Sequence, residues 1–503
     1  MKLVNLSIAA AAACLFATSA HALKTEDRIL KANGQIEYTK VPGDVNSIGE
    51  MFSQGEVYGR LRTNAFSWDW ETENTGKTKD NSEWGLGGSL IYKTAFYKGF
   101  GATAGFYGTV PLSNENNMNG IGANYGKAGK DTYRTRPDGS EAAIGVVAEG
   151  FGEYKAGKSD IKIGRQMIDS IMLASNDTKM VPNTFEAAVF ENKNIPNTKI
   201  RVGYIMAQKL RDHQEFHSIL AYDSTGVTPI SFKVNGNDDS GVHKGLSVAK
   251  ISAARGDVKP EMVLVTAENK SIPNLTLSGE YVGISGFFST AIAEANYQVA
   301  LGSGWTLTPG VRYLRQTDDG AGAIGGAALV GTVTAANAVS KGYTNGGSVD
   351  GSILMERLVL AKGPFSVMAG YSAVSDDADI IAPWRGFPTG GYTRSMAQVN
   401  WVANTKSWMV KADYDFAKAG LVPGLKAAVD YADMNFDDNK VKKGGTALSD
   451  RTILHVDLIQ EFKSIPNTEF KFRFATVDAK PTALLTTDYE SYNEYRFEVN
   501  YLF

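Results

Sequence analysis

The last ten residues of the chain, EYRFEVNYLF at positions 494–503, alternate between two kinds of side chain up to Tyr501. The apolar face carries Tyr495, Phe497, Val499, Tyr501 and Phe503, and the polar face carries Glu494, Arg496, Glu498 and Asn500. A period of two is typical of a β-strand whose two faces meet different surroundings. Because five large apolar side chains in a row would be insoluble in water, the segment predicts a strand with lipid on one face and water on the other.

The same alternation recurs along most of the chain from Glu56 onward. Many of the segments are longer than the roughly 5–6 residues usual for strands of soluble proteins, and they approach the roughly 9–11 that a tilted strand needs to cross a membrane. Eighteen strands are predicted, at 56–70, 82–94, 100–109, 142–156, 160–166, 184–192, 198–208, 260–269, 275–284, 288–300, 304–315, 351–361, 364–374, 406–416, 424–434, 452–463, 468–477 and 491–503. Residues 396–402 also alternate, but we assign them to a loop, because a nineteenth strand would leave the count odd.

The connections between these strands are of two kinds, short and long, and they alternate along the chain apart from one short connection near Ile284–Phe287. Three of the short ones share the sequence Ile-Pro-Asn, at 195–197, 272–274 and 465–467, in which proline fixes φ and asparagine favours a turn. Long connections fall between them. Hairpins that run up and down through a membrane give this order, and an even, closed barrel satisfies every backbone group. The sequence therefore predicts an all-β, transmembrane antiparallel β-barrel of about 18 strands, with short periplasmic turns and long extracellular loops.

The N-terminus carries the pattern of a secretory signal peptide. Lys2 is followed by an apolar run that ends near Ala17, and Ala20-His21-Ala22 fits a cleavage site. We assign residues 1–22 to a cleaved signal peptide, 23–55 to an N-terminal periplasmic or lumenal segment, and 56–503 to the barrel. Cleavage would remove Cys14, the only cysteine. A net charge of −3 without a long basic run argues against nucleic acid as a partner.

Three groups of segments follow one another in a characteristic order. They are Gly87–Thr94 with Tyr97–Phe100 and Ala104–Gly108, Gly164–Gln166 followed by Leu173–Pro182, and Ser407-Trp408 with Asp413–Phe416 and Val422–Leu425. In their order and spacing, over about 56–503, these segments resemble the OprD-type outer-membrane porins. The terminal Tyr501-Leu502-Phe503 is similar to the end by which outer-membrane barrels are recognised for assembly.

The resemblance implies a barrel of eighteen strands that is often trimeric. It also implies an inward-folded third extracellular loop, here 167–183, that narrows the pore, and a lumenal ladder of basic residues facing acidic ones. We expect Asp169, Asn176, Asp177 and Lys179 to face the narrowest point of the pore. Substrate preference does not carry over, because the loops at 209–259 and 317–350 match nothing familiar.

The two-residue period also predicts which charged side chains face the lumen. A pore needs a width and an electric field rather than catalytic groups. The predicted lumenal charge ladder consists of Arg60, Arg62, Arg201, Arg312, Lys411, Asp413, Asp415, Asp457, Lys471 and Arg473. If the two signs lay on opposite walls, they would create a transverse field that orients a zwitterion or a carboxylate.

These observations favour an outer-membrane porin through which small hydrophilic solutes and ions diffuse, passively or selectively. Its expected partners besides the solutes are outer-membrane lipid, the barrel-assembly machinery through Phe503, and two further copies in a homotrimer. An adhesin or a barrel enzyme that uses the long loops is the alternative, although the sequence contains no nucleophile, phosphate or dinucleotide motif.

No resident cofactor is predicted. Calcium in the acidic loops 235–239 and 376–379 is the weaker alternative. His213 and His217 do not have the residue order of the zinc-protease motif.

Overall fold

The fold was determined as a computed structural model of the chain. The structure describes residues 27–71, 80–114, 132, 134–135, 141–211, 213–221, 242–256, 259–382, 384, 386–396, 398–445, 448–481 and 491–503. The predicted signal peptide at 1–22 and the acidic loop at 235–239 lie outside these residues.

Eighteen antiparallel strands form the wall of a closed barrel, in which each strand pairs with the next and the last pairs with the first. In chain order they are β1 Glu56–Trp70, β2 Asn81–Lys93, β3 Phe100–Asn114, β4 Ile144–Ala156, β5 Ser159–Gln166, β6 Thr184–Asn192, β7 Thr198–Lys209, β8 Met262–Asn269, β9 Leu275–Ile284, β10 Phe288–Tyr297 continued by Val299–Gly302, β11 Trp305–Asp318, β12 Gly351–Lys362, β13 Phe365–Val374, β14 Lys406–Asp415, β15 Leu425–Asn435, β16 Arg451–Phe462, β17 Ile465–Ala479 and β18 Tyr492–Leu502. The predicted fold class and strand number are confirmed.

The strand boundaries differ from the predicted ones by a few residues in several strands, including β11, which continues to Asp318. β3 continues to Asn114, and β17 extends by a few residues at both ends. The tenth strand is interrupted at Gln298, whose backbone N–H donates to the Asn274 carbonyl across the neighbouring turn. Residues 396 and 398–402, part of the segment that alternates in sequence, lie in a loop as expected.

The Ile-Pro-Asn turns behave as their sequence predicts. Asn197, Asn274 and Asn467 all adopt a positive φ, between 54° and 64°. In two of the turns the residue after asparagine donates to the isoleucine carbonyl, with N···O distances of 3.1 Å. This is the β-turn geometry that accepts asparagine or glycine at its third position.

The long connections lie at the opposite end of the barrel from these turns. We name those used below by the strands they join: L3 (167–183, β5 to β6), L4 (210–261, β7 to β8), L6 (319–350, β11 to β12), L7 (375–405, β13 to β14) and L8 (436–450, β15 to β16). Helices lie at Ile48–Ser53 before the barrel, Val248–Arg255 in L4, Ala321–Gly325 and the 3₁₀ turn Val339–Lys341 in L6, and Asp438–Lys442 in L8. Short strand pairs lie at Arg28–Leu30 with Ile36–Tyr38, at Asp44–Val45 with Phe96–Tyr97, and at Arg134–Thr135 with Glu141–Ala142.

The two faces of the wall differ as the alternation predicts. Large apolar side chains are exposed on the outside, including Tyr204, Tyr281, Tyr313, Tyr371, Trp408 and Phe497. The side chains between them point inward, and many inward charges are buried beneath loops that fill part of the lumen. Isoleucine, methionine and tryptophan side chains of L3 and L7 pack there with the wall, Trp384 and Trp401 being fully buried. In the part of the chain that the structure describes, no helix has the length and apolar character needed to span a membrane.

Candidate functional site

Five inward basic side chains form a strip on three adjacent strands. Lys471 and Arg473 lie on β17, Arg496 on β18, and Arg60 and Arg62 on β1. Strand pairing sets them side by side, since Arg473 lies opposite Arg496 and Asn500 opposite Arg62. We call these five residues the basic strip. All of them except Arg496 belong to the predicted lumenal ladder.

L3 is attached to the basic strip through Asp177. One carboxylate oxygen accepts from Arg60 Nη1 at 2.8 Å and the other from Arg62 Nη1 at 2.9 Å. The Asp177 carbonyl accepts a second bond from Arg62 Nη1, at 2.8 Å. All three side chains are nearly inaccessible to solvent, so this is a buried, charge-assisted network rather than a surface ion pair.

The other predicted constriction residues are placed differently from one another. Asn176 is buried and accepts from Arg211 of L4, and Lys179 is buried with its Nζ 3.4 Å from the ring centroid of Phe66. Asp169 is exposed, and its carbonyl accepts from Arg201. The side chains of three of the four are thus buried, and only that of Asp169 is open to solvent.

The far end of L3 is attached to the opposite wall by Glu280 of β9. Its carboxylate accepts from the Ser170 hydroxyl at 2.9 Å and from the backbone N–H groups of Ile171 and Met172 at 2.9 and 2.8 Å. L3 therefore reaches across the lumen from β9 to β1. Alternation predicts that Glu280 points inward, but it contains no information about the loop atoms that Glu280 meets.

A second loop, L7, also enters the lumen, which the sequence did not predict. Arg312 on β11 donates to the carbonyls of Pro388 and Gly390, at 2.8 and 3.2 Å, and Arg357 on β12 donates to the Gly391 carbonyl at 3.1 Å. Both guanidinium groups also pair with Glu294. Arg357 was missing from the predicted ladder, although its place between the outward Leu354, Leu358 and Leu360 would have identified it as inward.

L7 and L3 meet inside the barrel. The Phe387 N–H of L7 donates to the Ile171 carbonyl of L3 at 3.0 Å. At its other end L7 contacts the wall beside the basic strip, where the Ser395 hydroxyl donates to Asp430 and the Gln398 amide donates to the Tyr492 hydroxyl. The two loops together form a layer across the lumen.

A chain of alternating charges lies on the wall next to this layer. His455 of β16 bonds Asp430 through Nδ1 and Asp457 through Nε2, both at 2.7 Å. Asp457 in turn pairs with Arg473 of the basic strip at 3.2 Å. The imidazole is therefore held between two carboxylates, which fixes its orientation.

The remaining predicted ladder residues lie nearer the turns. Arg201 pairs with Glu191 at 3.1 Å and Lys411 pairs with Asp413 at 3.0 Å. Asp415 accepts from the Lys418 N–H and so caps the turn between β14 and β15. Acidic groups of β14–β16 thus lie next to the basic strip, on the same side of the barrel. The two signs of charge are therefore not separated onto opposite walls of the lumen.

The candidate metal ligands are used in other ways. Asp376 pairs with Lys440, Asp377 is exposed, and Asp379 is buried among amide donors. His213 Nδ1 lies 2.8 Å from His217 Nε2. Over the described ranges, no group of three or more histidine, cysteine, aspartate or glutamate side chains is arranged to hold a metal ion.

His243 joins L4 to L6 in a way that should depend on pH. Its Nε2 lies 2.6 Å from the Gly326 carbonyl, and its Nδ1 accepts from the Gly245 N–H at 3.0 Å. Because Nδ1 accepts the hydrogen bond from Gly245, it cannot carry a proton while this bond is intact. Burial lowers the pKa of His243 to about 4. Because the pKa is lowered in the folded structure, protonation of His243 favours a form in which its hydrogen bonds between L4 and L6 are broken. The contribution of these bonds to stability is complete above pH ~6.5, and it falls by about 1.4 kcal/mol for each pH unit down to about 4.

We therefore expect proteolysis of L4 and L6 in the folded barrel to accelerate between pH 6.5 and 4. His243→Gln, whose side chain does not titrate, should lose this component while keeping the acid response of the carboxylates. Equal pH profiles for the variant and the wild type would refute the assignment.

Comparison with known proteins agrees with this geometry. The model of the OprD family, described as outer membrane porin, matches residues 51–503. Solved structures with the same fold include OccAB1 of Acinetobacter baumannii (17% identity, TM-score 0.67, covering 90% of this chain and 97% of that one) and the BenF-like porin of Pseudomonas fluorescens Pf-5 (17%, 0.65, 90% and 99%). OpdK of Pseudomonas aeruginosa, solved with vanillate, is similar at 17% identity and TM-score 0.63, covering 90% and 99%. None of the curated protein sequences matches the chain.

The family match spans the whole barrel, from the residues just before β1 to the C-terminus. It favours the pore over the adhesin and barrel-enzyme alternatives, and it places the protein in the outer membrane. The chain belongs to the OprD family of outer membrane porins.

Proposed function

We propose that this porin conducts small solutes that carry a carboxylate, and that the basic strip guides them past L3 and L7. The observation that carries the proposal is the state of Arg62. Its Nη1 is occupied by Asp177, whereas its Nε and Nη2 make no hydrogen bond, and Nη2 only faces Glu498 at 3.6 Å. These two donors are inaccessible to solvent while L3 covers them. Because guanidinium donors without a partner suit a carboxylate, we propose that Arg62 binds the solute when L3 moves aside.

The neighbouring charges support the passage of an anion along the strip. Arg473 and Lys471 continue the strip along β17, while Asp457 and Glu498 interrupt it. A mixed strip attracts an anion without trapping it, as conduction requires. OpdK, which shares the fold, was solved with vanillate, a small aromatic carboxylate, and this adds to the argument by analogy.

We further propose that L3 and L7 form the constriction, with Asp169, Asn176, Asp177 and Lys179 on the L3 side. In this proposal Asp177 and Lys179 act by holding L3 in place, and Asp169 acts directly on the passing solute.

The homotrimer, and recognition of Phe503 by the barrel-assembly machinery, are proposed from the resemblance alone. The N–H and carbonyl groups of Phe503 bond Gly59 of β1, so this residue also closes the seam of the barrel.

The test is current through single channels in a planar bilayer, with benzoate as the probe. Benzoate should block chloride current in the wild type, and Arg62→Gln should weaken the block about tenfold, because a charge-assisted hydrogen bond is worth about 1.5 kcal/mol or more. The neutral analogue benzyl alcohol should block neither protein. Arg315→Gln is the matched control, since it removes the same charge from an exposed arginine of the outer wall.

Equal block of the wild type and Arg62→Gln would overturn the carboxylate proposal. Block by benzyl alcohol as strong as by benzoate would also overturn it, because the selection would then depend on size rather than charge.

A further inference from the structure

A short β-hairpin before the barrel lies inside the lumen. Strands Arg28–Leu30 and Ile36–Tyr38 pair with each other, and the turn between them contains Gly34. The Tyr38 ring lies 4.4 Å from the ring of Tyr58, which points inward from β1, and the Tyr58 hydroxyl donates to the Lys40 carbonyl at 3.0 Å. We call residues 27–38 the lumenal hairpin.

The tip of the lumenal hairpin binds L3. The Asp177 N–H donates to the Asn33 carbonyl at 2.7 Å, and the Gln35 amide donates to the Ser175 carbonyl at 2.5 Å. Gly34 has φ +78°, and a Cβ at this position would overlap the carbonyl of Asp177. Only glycine allows the tip to approach L3 this closely.

The tip also occupies the end of the basic strip. Arg60 Nη1 donates to the Gly34 carbonyl at 2.8 Å and to Asp177, while its Nε and Nη2 donate to Asn500. With 1% of its surface exposed, Arg60 has no donor available to a solute. The hairpin carbonyl thus fills a place on the strip that a permeating carboxylate could otherwise use.

The hairpin precedes the part of the chain that the family model matches, which begins at residue 51. We propose that the lumenal hairpin is a specificity-determining element of this pore, which holds L3 against the basic strip and caps Arg60, so that it sets both the width and the anion preference of the channel. This inference rests on the proposed function, because it concerns the same strip.

The first test asks whether the hairpin faces the conducting path. Glu37 is 53% exposed at its side chain and pairs with Lys31. Reaction of Glu37→Cys with an anionic methanethiosulfonate should reduce single-channel current in a discrete step. Ile48→Cys is the control: Ile48 is 61% exposed on the helix before β1, and its labelling should leave the current unchanged. Cys14, the only native cysteine, lies in the predicted signal peptide.

The second test removes the contact with L3. Gly34→Val should displace the tip, release L3 and expose Arg60, so that conductance rises about twofold or more and chloride selectivity increases. Gly43→Val is the matched control, because a Cβ at Gly43 meets no atom within 4 Å and the channel should behave as the wild type. A heat-dependent gel shift establishes that each barrel is folded.

Unchanged current after labelling at Glu37→Cys would overturn the inference, even if Gly34→Val failed to fold. Wild-type conductance and selectivity in folded Gly34→Val would overturn it as well. These failures differ from that of the proposed function, which would appear as equal benzoate block of the wild type and Arg62→Gln.

Discussion

Replacing Asp177 with alanine is expected to release L3 from the wall and convert the channel into a wider, more anion-selective one. The Asp177 carboxylate is the shared acceptor of Arg60 and Arg62, at 2.8 and 2.9 Å, and it is 4% exposed. Removing one partner of a buried ion pair leaves the other charge uncompensated, which costs about 3–5 kcal/mol. Here two guanidinium groups would lose the same partner.

The loop has a way to relieve that cost, and this is why we expect a change in conductance rather than loss of the barrel. The strands are held by their own ladder of backbone hydrogen bonds, whereas L3 depends on side-chain attachments at Asp177 and Glu280. With Asp177 gone, moving L3 away lets water reach the arginines. The same movement opens the lumen on the side of β1.

Single-channel conductance and reversal potential under a salt gradient measure both effects. Conductance should rise about twofold or more, and the reversal potential should move towards that of chloride. Asp69→Ala is the matched control on the neighbouring strand β1: it removes the same charge from an exposed position on the outer face of the wall. Its conductance should stay near that of the wild type. Identical behaviour of the two variants would mean that net charge alone acts here, and not the attachment of L3.

The wall of the barrel could be predicted from sequence because the information that defines it is local. Strand identity follows from a period of two, and the side of each residue follows from parity, so that Tyr495 and Arg496 are assigned to opposite faces without knowledge of their partners. The turns are equally local, since Pro196 and Asn197 determine their own backbone angles. Some strands, such as β3, are longer than predicted, because residues of a predicted loop continue the hydrogen-bonded pairing of the strands.

What lies inside the barrel could not be predicted in this way. Parity shows that Arg312 points inward, but its partners are carbonyls of L7 that are 76 and 78 residues away and have no sequence signature. The hairpin at 27–38 is weakly patterned because it is stabilised by Tyr58 and L3 rather than by its own sheet. Alternation alone would also have made a strand of 396–402, and only the requirement for an even strand count assigned it to a loop; its described residues lie in L7 outside any strand.

The extracellular loops form a packed layer of their own, and Asp379 of L7 lies at its centre. Its carboxylate accepts from the N–H groups of Leu329 in L6 and Ala403 in L7, at 2.8 and 2.9 Å, and from the Tyr343 hydroxyl of L6 at 2.9 Å. The ring of Tyr343 also faces the ammonium group of Lys440 in L8. Burial raises the pKa of Asp379, as expected for a carboxylate 2% exposed to solvent.

Asp379→Ala is therefore expected to loosen L6, L7 and L8 together while leaving the barrel folded. Three buried donors would lose their acceptor at about 1–3 kcal/mol each, so the free energy of local opening should fall by about 3 kcal/mol or more, and cleavage of L6 by a protease should accelerate at least about 100-fold. Asp377→Ala is the matched control, because Asp377 lies two residues away with its side chain exposed. If both variants resisted the protease equally, the loops would be held by apolar packing around Trp384 and Trp401, and Asp379 would not be the residue that joins them.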